Sequence, residues 1–143
     1  MQPSLRELRT FLEQVIPFNR HLGIRIAHLE DGVARLELPF RDELIGDPFR
    51  PALHGGVIST LADTAGGFAV WTRIQLEDRV STIDLRVDYL APGAPELLIA
   101  EAVVVRVGNR VAVVDVRCFQ PSDPGRVVAT AKGVYNVKRK DDL

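Results

Sequence analysis

Little in this chain ties it to a compartment or to a class of large partner. One cysteine, Cys118, stands in 143 residues, so no internal disulfide forms. Such usage fits a reducing compartment. Neither sign of charge dominates: 18 Lys and Arg against 19 Asp and Glu leave a net charge of −1. No global basic field is there to draw in nucleic acid or an anionic membrane. No apolar run reaches membrane-spanning length. Arg6, Glu7, Arg9 and Glu13 interrupt any signal-peptide core near the start. Repeats, low-complexity tracts and linkers are missing too. These absences predict a cytoplasmic protein with neither a nucleic-acid nor a membrane partner.

What is present is the composition of a folded domain. Hydrophobic residues at 46% and charged residues at 26% exclude a disordered chain. The length suits one domain over 1–143 with a sizeable core. Ser4-Leu5-Arg6-Glu7 reads as a capping box. Leu5, Leu8, Leu12, Val15 and Ile16 follow at helical spacing, and Pro17 closes this short N-terminal helix. Residues 24–29 and 33–40 predict a hairpin or one bent strand, and 41–53 a loop. Four strands are predicted after the central helix, at 81–90, 96–107, 111–120 and 126–138. The first alternates Ile83, Leu85, Val87 and Tyr89 against Asp84, Arg86 and Asp88, which makes two faces. Short turns between successive strands imply an antiparallel sheet. One long helix on that sheet gives an α+β layer architecture.

The predicted helix, HGGVISTLADTAGGFAVWT from His54 to Thr72, holds a single acid, Asp63. At 100° per residue, Val57, Ile58, Leu61, Ala62, Ala65, Phe68 and Ala69 form one stripe for the sheet. Asp63 lies nearly opposite. An acid on the solvent side of a helix needs no special role. The rest of that side is Gly56, Ser59, Thr60, Gly66, Gly67, Val70 and Ile74, with no other charge. A helix without a charged face is buried all round. A sheet covers one face, so a second subunit is expected on the other, with Gly66-Gly67 letting another backbone approach. A carboxylate in such an interface is costly unless it is paired or used. His54-Gly55-Gly56 marks the helix start, where unpaired amides at the positive dipole end suit a developing oxyanion. A tight turn explains two glycines equally well. Asp63 follows two turns later, about 10 Å along the axis.

At these residues the chain resembles the hotdog-fold acyl-CoA thioesterases, in particular the phenylacetic-acid-degradation (PaaI-like) group. The resemblance rests on His54-Gly55-Gly56 and an acid nine residues after the His, followed by Ser81-Thr82 and by Tyr89-Leu90-Ala91-Pro92-Gly93. It implies a long central helix wrapped by an antiparallel β-sheet and subunits paired into a continuous sheet as a homodimer, with a second pairing into a homotetramer left open. It implies hydrolysis of an aryl- or medium-chain acyl-CoA, with coenzyme A entering only as part of the substrate and no metal or bound cofactor. Asp63 would be nucleophile or general base. The Gly55 N–H would polarise the thioester carbonyl, His54 would orient substrate, and Thr82 of the facing subunit would hold the water. Gly56, Ser81 and Phe68 would contact substrate. The pattern departs at Pro48, where family members often carry Asn or Gln. Proline has no side-chain donor, so that role is lost or moved.

Arg106, Arg110 and Lys132 are candidates for the CoA phosphates, with a solvated face as the plainer alternative. His21 and His28 have no partner at metal-ligand spacing. Phe68 and Trp71 suit an acyl pocket or core packing, and Cys118 reads as a small buried hydrophobe. The other readings are a hotdog-type hydratase or dehydratase and a non-catalytic acyl-CoA-binding protein.

Overall fold

The computed structural model describes residues 2–143. The chain opens on α1 (Leu5–Thr10), capped as its sequence predicts. Ser4 Oγ accepts the Glu7 N–H at 3.1 Å, and Glu7 Oε2 accepts the Ser4 N–H at 2.7 Å. The helix does not run on to residue 16 unbroken. It widens into a π-turn at Phe11–Val15, and Ile16 is extended. Pro17 then opens a second helix, α2 (Pro17–Leu22), at a position where its missing N–H costs nothing. Gly23, at φ 78°, ends α2.

Strands β1 (Arg25–Glu30) and β2 (Val33–Leu38) form a hairpin rather than one bent strand. The expected loop holds a second, small hairpin, β3 (Ile45–Asp47) with β4 (Ala52–Leu53). It crosses so close to the helix start that a Cβ on Gly46 would lie 2.6 Å from the His54 Cα. Next come α3 (Gly55–Trp71), β5 (Arg79–Tyr89), β6 (Leu98–Val107), β7 (Val111–Phe119) and β8 (Ala129–Lys138). The antiparallel sheet runs β1-β2-β6-β7-β8-β5, so the strand that follows α3 sits on the far edge beside the last strand.

Small residues let α3 lie close in this sheet. Ala62, Ala65 and Ala69 on the helix, and Ala34, Ala100, Ala102, Ala112 and Ala129 on the strands, are fully buried. The predicted stripe is the packed one, with Val57 half-buried at its rim. The opposite side differs from expectation. Gly66, Gly67, Val70 and Ile74 are buried within the single chain, and α3 ends at Trp71, before Ile74. Phe11, Phe68 and Trp71 pack there with ring centroids 5.1–6.1 Å apart. Only the stretch from Gly56 to Thr64 stays partly open on that side.

The glycine pair has a different task from admitting a second backbone. A Cβ on Gly66 would overlap the Tyr135 hydroxyl and come within 2.9 Å of Val114 Cγ2. A Cβ on Gly133 would meet the same ring at 2.6 Å. Two glycines therefore make room for one buried tyrosine. Gly66→Ala gains about 1 kcal/mol of helix propensity. It also overpacks a fixed ring, at a cost of about 1–3 kcal/mol. The expected net result in chemical denaturation is a loss of about 1 kcal/mol, and a more stable variant would contradict this packing.

Candidate active site

The start of α3 is built by its neighbours. His54 is the N-cap, and its Nδ1 accepts the Gly56 N–H at 2.8 Å, which leaves the imidazole proton on Nε2. A Cβ on Gly56 would stand 2.9 Å from that Nδ1, so the cap needs glycine there. The Gly55 N–H donates to no group among the described residues. The Tyr89 hydroxyl donates to the Gly55 carbonyl at 3.2 Å, and the Leu53 N–H to Gly93 at 2.9 Å. The strand-ending turn after β5 thus holds the helix start, leaving a bare amide at the dipole's positive end.

Asp63 is half-buried, and its two oxygens differ. Oδ1 accepts the Thr82 hydroxyl at 2.8 Å. The Tyr135 hydroxyl lies 3.2 Å from the same oxygen and 3.0 Å from the Asp63 backbone carbonyl, and donates between them. Oδ2 has no hydrogen-bond partner among the described residues. Burial, and then the Asp63 charge, push the Tyr135 phenol far above its ordinary range. It remains a donor at any working pH.

Thr82 reaches Asp63 through a bulge in β5. By plain alternation Thr82 shares the outer face with Asp84, Arg86 and Asp88. In the sheet Thr82 pairs with Tyr135 and Asp84 with Val134, leaving Ile83 as an extra residue. One inserted residue reverses the pleat. Thr82 turns inward, next to Tyr135 on the neighbouring strand, and both hydroxyls converge on one carboxylate. The contact is made within one chain, which corrects the expectation that Thr82 of a facing subunit lies at Asp63. Ser81 points to a different depression, beside Asp78 and Asn136.

A cavity of about 160 Å³ opens beside Asp63. Ile16, Phe68, Trp71 and Val80 give it apolar walls, and Thr82, Tyr135 and Asn19 line it with Asp63. Phe68 thus serves both core and cavity. Pro48 does not line it; it sits in the exposed β3–β4 turn, where Asp47 Oδ1 accepts the Phe49 and Arg50 N–H groups. Arg106 and Arg110 are exposed around the β6–β7 turn, away from this cavity. Lys132 pairs with Asp115 at 3.1 Å. Burial pushes the Cys118 thiol up to about 12, which leaves it unreactive. His21 and His28 are exposed, and no cluster of metal-ligating side chains occurs among the described residues.

Residues 51–127 match the model of the thioesterase superfamily, which is more than half of the chain. The chain belongs to the thioesterase superfamily. The medium/long-chain acyl-CoA thioesterase YigI of Escherichia coli is 36% identical over 135 residues, covering 85% of this chain and 86% of that relative. Among solved structures, a Shewanella oneidensis protein related to the thioesterase superfamily has a TM-score of 0.81 at 29% identity. It covers 92% of this chain and 94% of its own. A thioesterase from Haemophilus influenzae has a TM-score of 0.83 at 21% identity over 98% and 94% of the two chains, a likeness of fold. The architecture is accordingly the hotdog fold, and the chain is a thioester hydrolase. The matched segment contains His54, Asp63 and Thr82 but neither Asn19 nor Tyr135.

Those last two residues escape a reading of the sequence, though one left a signal. Gly133 precedes Tyr135 by two, on the same face of β8, and a glycine beside an aromatic on one face marks space reserved for the ring. Asn19 follows a proline that reads as a helix stop, and only the second helix that Pro17 opens brings it to the cavity.

Proposed function

We propose that the protein hydrolyses an aryl- or medium-chain acyl-CoA to free acid and CoA, with Asp63 Oδ2 as general base on water. The observation that carries this reading is the asymmetry of the carboxylate: Oδ1 is bound by two hydroxyls and Oδ2 is bare. Oδ2 takes a proton from water as the water oxygen bonds to the carbonyl carbon and the C=O π pair moves onto oxygen. Collapse of that intermediate breaks the C–S bond, and the proton on Asp63 goes to the departing thiolate. The unpaired Gly55 N–H meets the oxyanion, and His54 Nε2–H orients substrate beside it.

The helix's own geometry sets a condition. Gly55 and Asp63 are eight residues apart, about 12 Å of axial rise. An amide contact of about 3 Å, a carbonyl of about 1.2 Å and two further contacts of about 3 Å, to the water and from the water to Oδ2, reach about 10 Å only when stretched in line, and attack on a carbonyl carbon bends that path. The reading therefore takes the Gly55 amide from one copy of the chain and the Asp63 carboxylate from another. The edge of the sheet offers the means of pairing. β5 is an 11-residue edge strand with Ile83 58% and Tyr89 54% exposed, followed directly by Leu90 at 60%, a combination natural proteins cover. Antiparallel pairing of β5 with its copy would extend the sheet through a homodimer. Sedimentation should give a dimer at micromolar concentration, and a monodisperse monomer there would sink the shared site.

The acyl preference follows from the cavity. Its volume of about 160 Å³ is near the roughly 150 Å³ that admits benzene in an apolar cavity. Thiol release measured across aryl-, medium- and long-chain acyl-CoAs tests the activity and the preference together. Release from none of them would overturn the function, and preference for long chains alone would overturn the cavity as acyl site.

A further inference from the structure

We propose that Asn19 is the second anchor of the hydrolytic water, a proposal that rests on the general-base reading above. Asn19 is 4% exposed, its carboxamide makes no hydrogen bond to a group among the described residues, and its polar atoms are not sealed from solvent, so the amide opens into the cavity. An amide that faces a cavity and meets no protein group is satisfied there by water or ligand. Asn19 lines the same cavity as Asp63. Its backbone is held firmly: the Asn19 carbonyl accepts the Gly23 N–H at 2.9 Å and the Ile24 N–H at 3.1 Å.

The hydroxyls nearby are already committed. The Thr82 proton goes to Asp63 Oδ1, and the Tyr135 proton is shared between that oxygen and the Asp63 carbonyl. A water on Oδ2 donates one hydrogen there and needs further partners to be ordered. The carbonyl oxygen of the Asn19 side chain accepts the other hydrogen. With both hydrogens held, the lone pairs of the water are left to face the thioester carbon. As the carbon–oxygen bond forms, the hydrogen on Oδ2 transfers to Asp63, and the hydrogen on Asn19 stays with the new acid until it ionises. This assigns α2 a part in the reaction.

Asn19→Leu is close in size and removes the amide that faces the cavity. Its expected signature is a melting temperature close to that of wild type together with a kcat lowered about 10- to 100-fold, the scale for a misplaced reactant. KM should stay within a few-fold of wild type, because the water, not the substrate, is lost. Asn19→Ala, which leaves space in place of the side chain, should lower kcat similarly and serves if the leucine variant does not fold. Wild-type kcat in a folded variant overturns the proposal. So does a raised KM at unchanged kcat, which would make Asn19 a substrate contact. Failure of the wild-type protein to release thiol from any acyl-CoA would instead overturn the general-base reading itself.

Discussion

Asp63→Asn is expected to lower turnover of a good acyl-CoA substrate by about two or more orders of magnitude, the usual scale for a lost acid–base group. The fold should survive, and the hydrogen bonds say why. An asparagine carbonyl at the Oδ1 position still accepts the Thr82 and Tyr135 hydroxyls, now at 2.8 and 3.2 Å. The amide nitrogen then occupies the bare Oδ2 position, where it has protons to give and no basic lone pair. Structure is kept while the one atom assigned to chemistry is replaced. Asp63→Glu retains a carboxylate one methylene further out and should keep partial activity. Purified Asp63→Asn with wild-type kcat would make Asp63 an acid that merely ties α3 to the sheet.

Much of this arrangement is legible in the residues alone, and the parts that are not share a physical cause. The apolar stripe of α3 reports burial against one partner, and so do Leu85 and Val87 within 81–90, whereas Ile83 and Tyr89 of the same alternation are exposed at the sheet edge. The absence of charge from Gly56 to Ile74 also reports burial but not by what. It reads as a subunit interface, yet Phe11, Tyr135 and the N-terminal segment cover much of that side from within the chain. Pattern measures that a face is covered, and only topology says by which element. The bulge at Ile83 is a sharper case. Period-two alternation holds on either side of it, and the inserted residue is itself apolar, so nothing in the residue types betrays a change of phase. The consequence falls on Thr82, which moves from outer face to active-site face. Membership of the thioesterase superfamily does not by itself narrow the chain to the PaaI-like group.

The two hydroxyls that meet on Asp63 lead to a second large effect, visible only when both are removed. Thr82→Val and Tyr135→Phe keep the shape of each side chain and delete one donor. In either single variant Oδ1 retains the other hydroxyl, so the carboxylate stays anchored and Oδ2 stays presented. A hydrogen bond to a charged group contributes about 1.5–3 kcal/mol, but with a second donor in place only part of that should appear, so each single variant is expected to lose about 5- to 10-fold in kcat. In the double variant Oδ1 has no donor left. The carboxylate is free to rotate, its two oxygens become equivalent, and the oriented base is gone. The loss should therefore exceed the product of the two singles, with a coupling of about 0.5–3 kcal/mol, the range for residues in one network. Thermal melts of all four proteins separate this from instability, since Tyr135→Phe leaves the ring in its glycine-lined space. Simple multiplication of the two effects would mean that the hydroxyls act independently and that Oδ1 is not held by both at once.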